Sequence, residues 1–131
     1  MKPSQVIEKA DRNRPNMMAE QDKYDLLNEI EGRVYNEILM KHEHSDDLEK
    51  PYYEPADEND QEETEEEPDM LVPDEYARLY VYWLYCAIDE LNQEIEKYNA
   101  DRALFEDAWG NFGDYWTREH MPLTASAYFS V

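Results

Sequence analysis

The 131-residue sequence has little cysteine, glycine or positive charge, with one cysteine, three glycines and 12 basic residues against 33 acidic ones. A lone Cys86 cannot form an internal disulfide and is typical of a reducing compartment. The three glycines lie in helical patterns, so the sequence has no glycine-rich loop for binding phosphate. It has no cluster of lysines or arginines, which argues against nucleic-acid binding through a basic face.

Long apolar runs are also missing. The longest one, residues 79–88, has ten residues, whereas a membrane-spanning helix needs about 20. The first twelve residues lack the apolar segment of a secretion signal. We therefore expect a soluble, intracellular chain with no membrane association.

The acidity is concentrated in one segment. Of the formal net charge of −21, residues 43–70 carry −13. Dense like charge, few aliphatic residues and several prolines cannot bury enough apolar surface to offset chain entropy, which predicts an irregular acidic loop over residues 43–70. The eight carboxylates of its densest part, residues 58–69, are Glu58, Asp60, Glu62, Glu63, Glu65, Glu66, Glu67 and Asp69.

Apolar periodicity predicts an all-α fold, a helical bundle forming one domain over residues 1–131. Residues 1–42 are predicted to form two helices with apolar residues three or four apart. From Leu84 to Trp116 the apolar positions alternate steps of four and three, with Arg102 at the one position that is not apolar, which predicts one long helix within residues 71–121. Such a helix either bends near residues 98–102 and folds back or projects outward, since a compact chain of this size is only ~30 Å across.

The second half of this predicted helix is rich in aromatic rings, for which the rest of the chain offers few packing partners. Aromatic residues concentrate at protein contacts, so we interpret these rings as candidates for a subunit interface. A core stripe is the other interpretation. The residues are Tyr98, Phe105, Trp109, Phe112, Tyr115 and Trp116.

The tail, residues 122–131, contains no charged side chain. Its small, β-branched and aromatic residues favour an extended segment. The candidates for docking on another protein, or on the chain's own bundle, are Leu123, Tyr128, Phe129 and Val131.

No arrangement of residues predicts catalysis or a bound metal. Cys86 lies in an apolar helical stretch, where a buried and inert thiol is expected. An EF-hand frame over residues 57–68 lacks the glycine at its sixth position and the acid at its twelfth. His42 and His44 form one pair of zinc-type ligands without a second pair at suitable spacing. We therefore expect no enzyme activity, no catalytic residue, no metal site and no cofactor.

Two classes of function remain, and the first is a DNA mimic that inhibits a nucleic-acid-binding enzyme by presenting carboxylates in place of phosphates. A mimic needs these charges on a rigid scaffold, because ordering a loop on binding weakens the affinity. The densest charge lies in the segment predicted to be least rigid, but the long helix also carries a negative face. Its acids are Asp89, Glu90, Glu94, Glu96, Asp101, Glu106 and Asp107.

The second class is a structural subunit, and three segments point to it. They are "LLNEIEGRVYNEIL" (residues 26–39), "LVPDEYARLYVYWLYCAIDELNQEIEKYN" (71–99) and "FEDAWGNFGDYWTREHMP" (105–122). Together they resemble the small helical head–tail connector, or neck adaptor, proteins of tailed bacteriophages and prophages. The resemblance covers most of the chain outside the acidic loop, and Arg102, Gly110 and Gly113 depart from the usual pattern.

This resemblance implies a ring of about a dozen copies below the portal protein, in contact with the portal and with neck and tail proteins. Genome DNA would pass through it without sequence-specific binding. The location would be the virion neck, after assembly in the host cytoplasm. Neighbouring copies would cover the aromatic rings, and the tail would dock on the portal or on an adjacent copy.

In such a ring the acidic loop has two possible uses. Facing the channel, its carboxylates repel DNA and let it slide; facing outward, they keep the free subunit soluble. A DNA-mimic inhibitor of the anti-restriction or anti-CRISPR type is the alternative to the connector.

Overall fold

The computed structural model describes residues 1–56 and 67–123. Four α-helices occur there, namely α1 (Pro3–Asn13), α2 (Glu20–Arg33), α3 (Arg78–Leu91) and α4 (Ile95–Glu119). A π-helical turn (Val34–Ile38) and a 3-10 turn (Leu39–Lys41) continue α2, and another 3-10 turn (Asp74–Tyr76) precedes α3. The described residues form no β-strand, only an isolated antiparallel bridge between His42 and Pro122. The prediction of an all-α fold is confirmed.

The centre of the acidic loop and most of the tail lie outside the described residues. The predictions for Glu58, Asp60, Glu62, Glu63, Glu65 and Glu66 fall there, as do those for Tyr128, Phe129 and Val131. Glu67 and Asp69 at the end of the acidic segment are described, and so is Leu123 at the start of the tail.

The two N-terminal helices bury the apolar faces that their sequences predict. Residues three or four apart lie on one side of an α-helix, and that side of each helix faces the core. The buried apolar residues are Val6, Ile7 and Ala10 in α1, and Tyr24, Leu27 and Ile30 in α2. Val34 and Ile38 extend the buried face of α2 through the π-helical turn.

The long helix predicted for the second half of the chain is two helices joined by a tight turn. Gln93 adopts a φ of 59°, a left-handed conformation that an α-helix does not continue through. The backbone N–H of Glu94 donates to the carbonyl oxygen of Asp89 at 2.9 Å and closes the turn. The chain therefore reverses at residues 92–94 rather than near residues 98–102, and α4 packs back against α3.

The core is centred on α3, which lies against the other three helices. Leu79, Tyr80, Leu84 and Ile88 of α3 have no exposed surface. The free thiol of Cys86 is buried on the same helix. Among residues 1–56 and 67–123, no helix combines the length and the apolar character needed to cross a bilayer.

The prediction that the aromatic rings of α4 lack cover within the chain is wrong for Phe105 and Phe112. These two side chains are 1% and 0% exposed, so they belong to the core and are unavailable for a subunit interface. The physical reason is the reversal at residues 92–94, which brings the rings of α4 against the apolar side of α3. The other four candidates are half-buried, namely Tyr98, Trp109, Tyr115 and Trp116.

Candidate interaction surfaces

A ladder of aromatic rings fills the seam between α3 and α4. The ring centroids of Trp83 on α3 and Phe105 on α4 lie 5.2 Å apart, and those of Phe105 and Trp109 lie 5.9 Å apart. The guanidinium of Arg33, at the end of α2, lies over the Trp109 ring at 4.9 Å from its centroid. A contact of this kind is favourable by about 0.5–1 kcal/mol at an exposed site. Trp109 thus has one partner on its own helix, Phe105, and one at the end of α2, Arg33.

The ladder continues to the end of α4. Trp116 packs edge-on against Phe112 with their centroids 5.9 Å apart, and its other side stacks on His120 at 3.6 Å. Tyr115 stacks on Tyr76 at 4.6 Å. Tyr115 and Trp116 therefore each stack on a ring of their own chain.

Four large apolar side chains are exposed at the two ends of the α3–α4 hairpin. At the turn, 54% of Leu91 and 73% of Ile95 are exposed; we call this pair the turn patch. At the other end, 60% of Met121 and 57% of Leu123 are exposed; we call this pair the foot patch. Large exposed apolar patches mark sites of contact with other molecules, and we take these two pairs as candidates for such sites.

A groove of about 560 Å³ adjoins the turn patch. The loop after α1 supports this end of the hairpin, because the side-chain amide of Asn92 donates to the carbonyl oxygen of Pro15 at 3.1 Å. The groove combines two apolar or aromatic side chains with acidic neighbours. Its lining residues are Asp89, Glu90, Gln93, Glu94, Ile95 and Tyr98.

The first residues of the tail are fixed on their own chain at the foot patch. The backbone N–H of Leu123 donates to the carbonyl oxygen of Lys41 at 2.9 Å, and that of Glu43 donates to Met121 at 2.8 Å. His42, between them, lies with Nε2 3.0 Å from the Thr117 hydroxyl. The backbone of Leu123 is therefore paired within the chain, while its side chain is free to contact another molecule.

A buried carboxylate, that of Glu31, anchors the chain on both sides of residues 57–66, within and after the acidic loop. Glu31 on α2 is 0% exposed. Its Oε2 accepts from the Tyr53 hydroxyl at 2.7 Å and from the Leu71 backbone N–H at 2.9 Å. Its Oε1 accepts from the Tyr80 hydroxyl. Burial raises the pKa of Glu31, and these donors oppose the shift. Tyr53 lies before residues 57–66 and Leu71 after them, so one side chain holds both stems of the loop.

Sequence reasoning missed Glu31, although a signal for it exists. Tyr24, Leu27, Glu31, Val34 and Ile38 are spaced by three or four residues, which places the acid on the apolar face of α2. An acid at such a position is buried only with partners, because an unpaired buried charge is costly.

Further hydrogen bonds fix each stem separately. The Asn28 side-chain amide donates to the Tyr53 carbonyl at 2.8 Å, and its oxygen accepts from the Tyr53 N–H at 2.9 Å. On the other stem, the Glu67 carboxylate accepts from the Ser4 N–H at 3.0 Å and from the Tyr24 hydroxyl at 3.3 Å. Burial, followed by the charge of Glu67, raises the pKa of Tyr24 to about 12. The acidic loop thus leaves the helical core from two firmly held points.

Two acids that we expected on an exposed negative face are buried instead. Asp89 is 0% exposed and Asp101 is 3% exposed. Arg14, which follows α1, donates to Asp101 at 3.2 Å and lies 3.5 Å from Asp89. Among the described residues, no donor forms a hydrogen bond with either carboxylate oxygen of Asp89. Burial, followed by the neighbouring Asp101, raises the pKa of Asp89 to about 7, and Arg14 opposes this shift.

The part of the chain that the structure describes holds no group of three or more His, Cys, Asp or Glu side chains placed to share a metal ion. Comparison of the chain with protein-family models, with curated proteins and with solved structures gave no match. The resemblance to phage connector proteins therefore stays a prediction from the sequence.

Proposed function

We propose that the protein is a non-enzymatic structural subunit, a head–tail connector of a tailed phage that forms a ring below the portal. DNA would pass through the ring, and the phage tail would attach to it. The observation that supports this most is the presence of two exposed apolar patches at opposite ends of one helical hairpin. A ring is built from a heterologous interface, in which one surface of each copy binds a different surface of the next. The turn patch and the foot patch are two surfaces of this kind.

The resembling segments and the fold agree in one respect. Residues 26–39 cover most of α2 and its continuation, residues 71–99 cover α3 and the turn, and residues 105–122 cover most of α4. These are helices of a single core, and the acidic loop is an addition to that core. The interface proposed for the ring no longer includes Phe105 and Phe112. It uses the exposed parts of the four half-buried rings, Tyr98, Trp109, Tyr115 and Trp116, together with the two patches.

The acidic loop has a defined use in this proposal. Its high negative charge repels DNA phosphates if the loop faces the channel, so that the genome moves through without sticking. The ring would contact the portal and the neck or tail proteins in the virion, after assembly in the host cytoplasm and without a membrane.

Co-expression with the portal and neck proteins of the same phage tests this function. We expect the tagged chain to co-purify with the portal. A variant in which Asn and Gln replace the acids of residues 57–66 keeps the anchors Tyr53 and Glu67, and it should still bind the portal. A chain that purifies alone in every combination contradicts the connector function.

The DNA mimic is the second candidate, and the anchoring of the acidic loop favours it. Because Glu31 and Asn28 hold the stems, less chain must be ordered when the loop binds an enzyme. The same neutralised variant separates the two functions. A mimic loses its inhibition of a restriction or CRISPR nuclease when these acids are replaced, whereas a connector never inhibits the nuclease.

A further inference from the structure

We propose that residues 124–131 of one copy dock on the turn patch of the next copy. This docking rests on the proposed ring function and specifies which two surfaces join its copies.

The turn patch has the form of a receiving site. Leu91 and Ile95 expose more than half of their side-chain surface on the two sides of the turn. The adjoining groove of about 560 Å³, lined in part by Ile95 and Tyr98, has room for an aromatic side chain. Covering apolar surface of this kind is favourable by roughly 25 cal/mol per Å².

The tail of the same copy cannot fill this site, because it begins at the opposite end of α4. A helix rises 1.5 Å per residue, so Ile95 and Glu119 are about 36 Å apart. Leu123 is fixed beside Lys41 at the foot of the hairpin. Eight residues after Leu123 extend by at most about 26 Å. A tail that occupies the turn patch must therefore belong to another molecule.

Charge favours the tail over the other surfaces of a second copy as the partner of the turn patch. Each copy carries a net charge of −21, so most pairs of surfaces repel one another. Glu90 and Glu96 are exposed next to the turn patch and add to this repulsion. Residues 122–131 contain no acidic side chain, and they supply apolar groups in Tyr128 and Phe129. This segment can approach the acidic surroundings of the groove without a repulsive side chain.

A complementation experiment with full-length chains tests the docking. Ile95→Glu removes the receiving site and leaves the tail intact, whereas Phe129→Glu alters the tail and leaves the receiving site intact. Each variant alone is expected to lose all species larger than a monomer in native mass spectrometry. An equimolar mixture is expected to form a 1:1 heterodimer and nothing larger, because it contains only one functional pair of surfaces. Circular dichroism checks that both variants remain helical.

Leu104→Glu is the matched control, since Leu104 is 45% exposed in the middle of α4, away from both patches. It carries the same change of charge and is expected to assemble like the wild type. If Ile95→Glu and Phe129→Glu both assemble like the wild type, the docking is overturned while the ring remains. If Ile95→Glu alone abolishes assembly, the turn patch binds something other than the tail, and the docking is again overturned.

A wild-type chain that stays monomeric at every concentration also overturns the docking. Co-purification with the portal then decides the connector function by itself, so the two proposals fail separately.

Discussion

The burial of the Asp89 carboxyl group predicts that its contribution to the stability of the protein falls as the pH rises toward neutrality. Asp89 is 0% exposed, and burial together with Asp101 raises its pKa from 3.8 to about 7 in the folded chain. The folded state therefore binds a proton over a pH range in which the unfolded state has released it. The stability that this proton contributes is fully present below pH 3.8 and is lost as the pH rises through about 7.

The magnitude follows from the size of the shift. One pKa unit corresponds to about 1.4 kcal/mol, so the full loss at high pH is about 4 kcal/mol. Between pH 5.5 and pH 8 the same two pKa values give a loss of about 2 kcal/mol. This is a large fraction of the total for a small domain, whose free energy of unfolding is typically about 5–15 kcal/mol.

Asp89→Asn removes the titrating group while keeping its size. We expect the free energy of unfolding of this variant, relative to the wild type, to increase by about 2 kcal/mol between pH 5.5 and pH 8. Urea denaturation followed by circular dichroism at several pH values measures this difference. Groups that do not interact with Asp89, such as Glu31, contribute equally to both proteins and cancel in the comparison.

Asp107→Asn is the matched control, because Asp107 is an exposed acid on α4. It removes the same charge and should leave the pH dependence of stability close to that of the wild type. The reasoning is refuted if the curves of Asp89→Asn and the wild type run parallel from pH 5.5 to pH 8.

Three further predictions concern the core. Tyr53→Phe removes a hydrogen bond to the buried carboxylate of Glu31 and should lower the free energy of unfolding by about 1–3 kcal/mol. The neighbouring Tyr52→Phe should change this free energy little, because Tyr52 is 66% exposed. Equal urea midpoints for the two variants would contradict the anchoring of the chain by Glu31. Phe112→Ala should destabilise the monomer by about 3–5 kcal/mol. An unchanged thermal midpoint would contradict the placement of Phe112 in the core. Burial raises the pKa of the Cys86 thiol to about 11, so a thiol reagent at pH 8 should label it only after unfolding; rapid labelling of the native chain is the opposing result.

The helices of the N-terminal half could be predicted because their signal is local. The three-and-four spacing of apolar residues in α1 and α2 depends only on neighbours along the chain, and the structure buries those residues. The same spacing predicted one helix across residues 92–94. The residues there are Asn, Gln and Glu, and none of them disfavours a helix as strongly as glycine or proline does. The turn there is set by packing, because reversal buries Phe105 and Phe112 against α3.

The buried acids were missed for the opposite reason, since their partners are distant in sequence. Glu31 meets donors that lie 22, 40 and 49 residues away along the chain. Arg14 and Asp101 are 87 residues apart. Sequence reasoning places an acid on the surface unless its partners are known, because charged side chains are seldom fully buried unless paired. Sequence spacing gives the face on which Glu31 lies, but only the fold brings its three donors together.

Native mass spectrometry of the wild-type full chain, over micromolar concentrations and with and without the portal protein, tests the ring most directly. A single closed stoichiometry that does not grow further with concentration is the result we predict. A monomer in every sample, or an open series of ever larger species, would contradict assembly into a ring through the two ends of the hairpin.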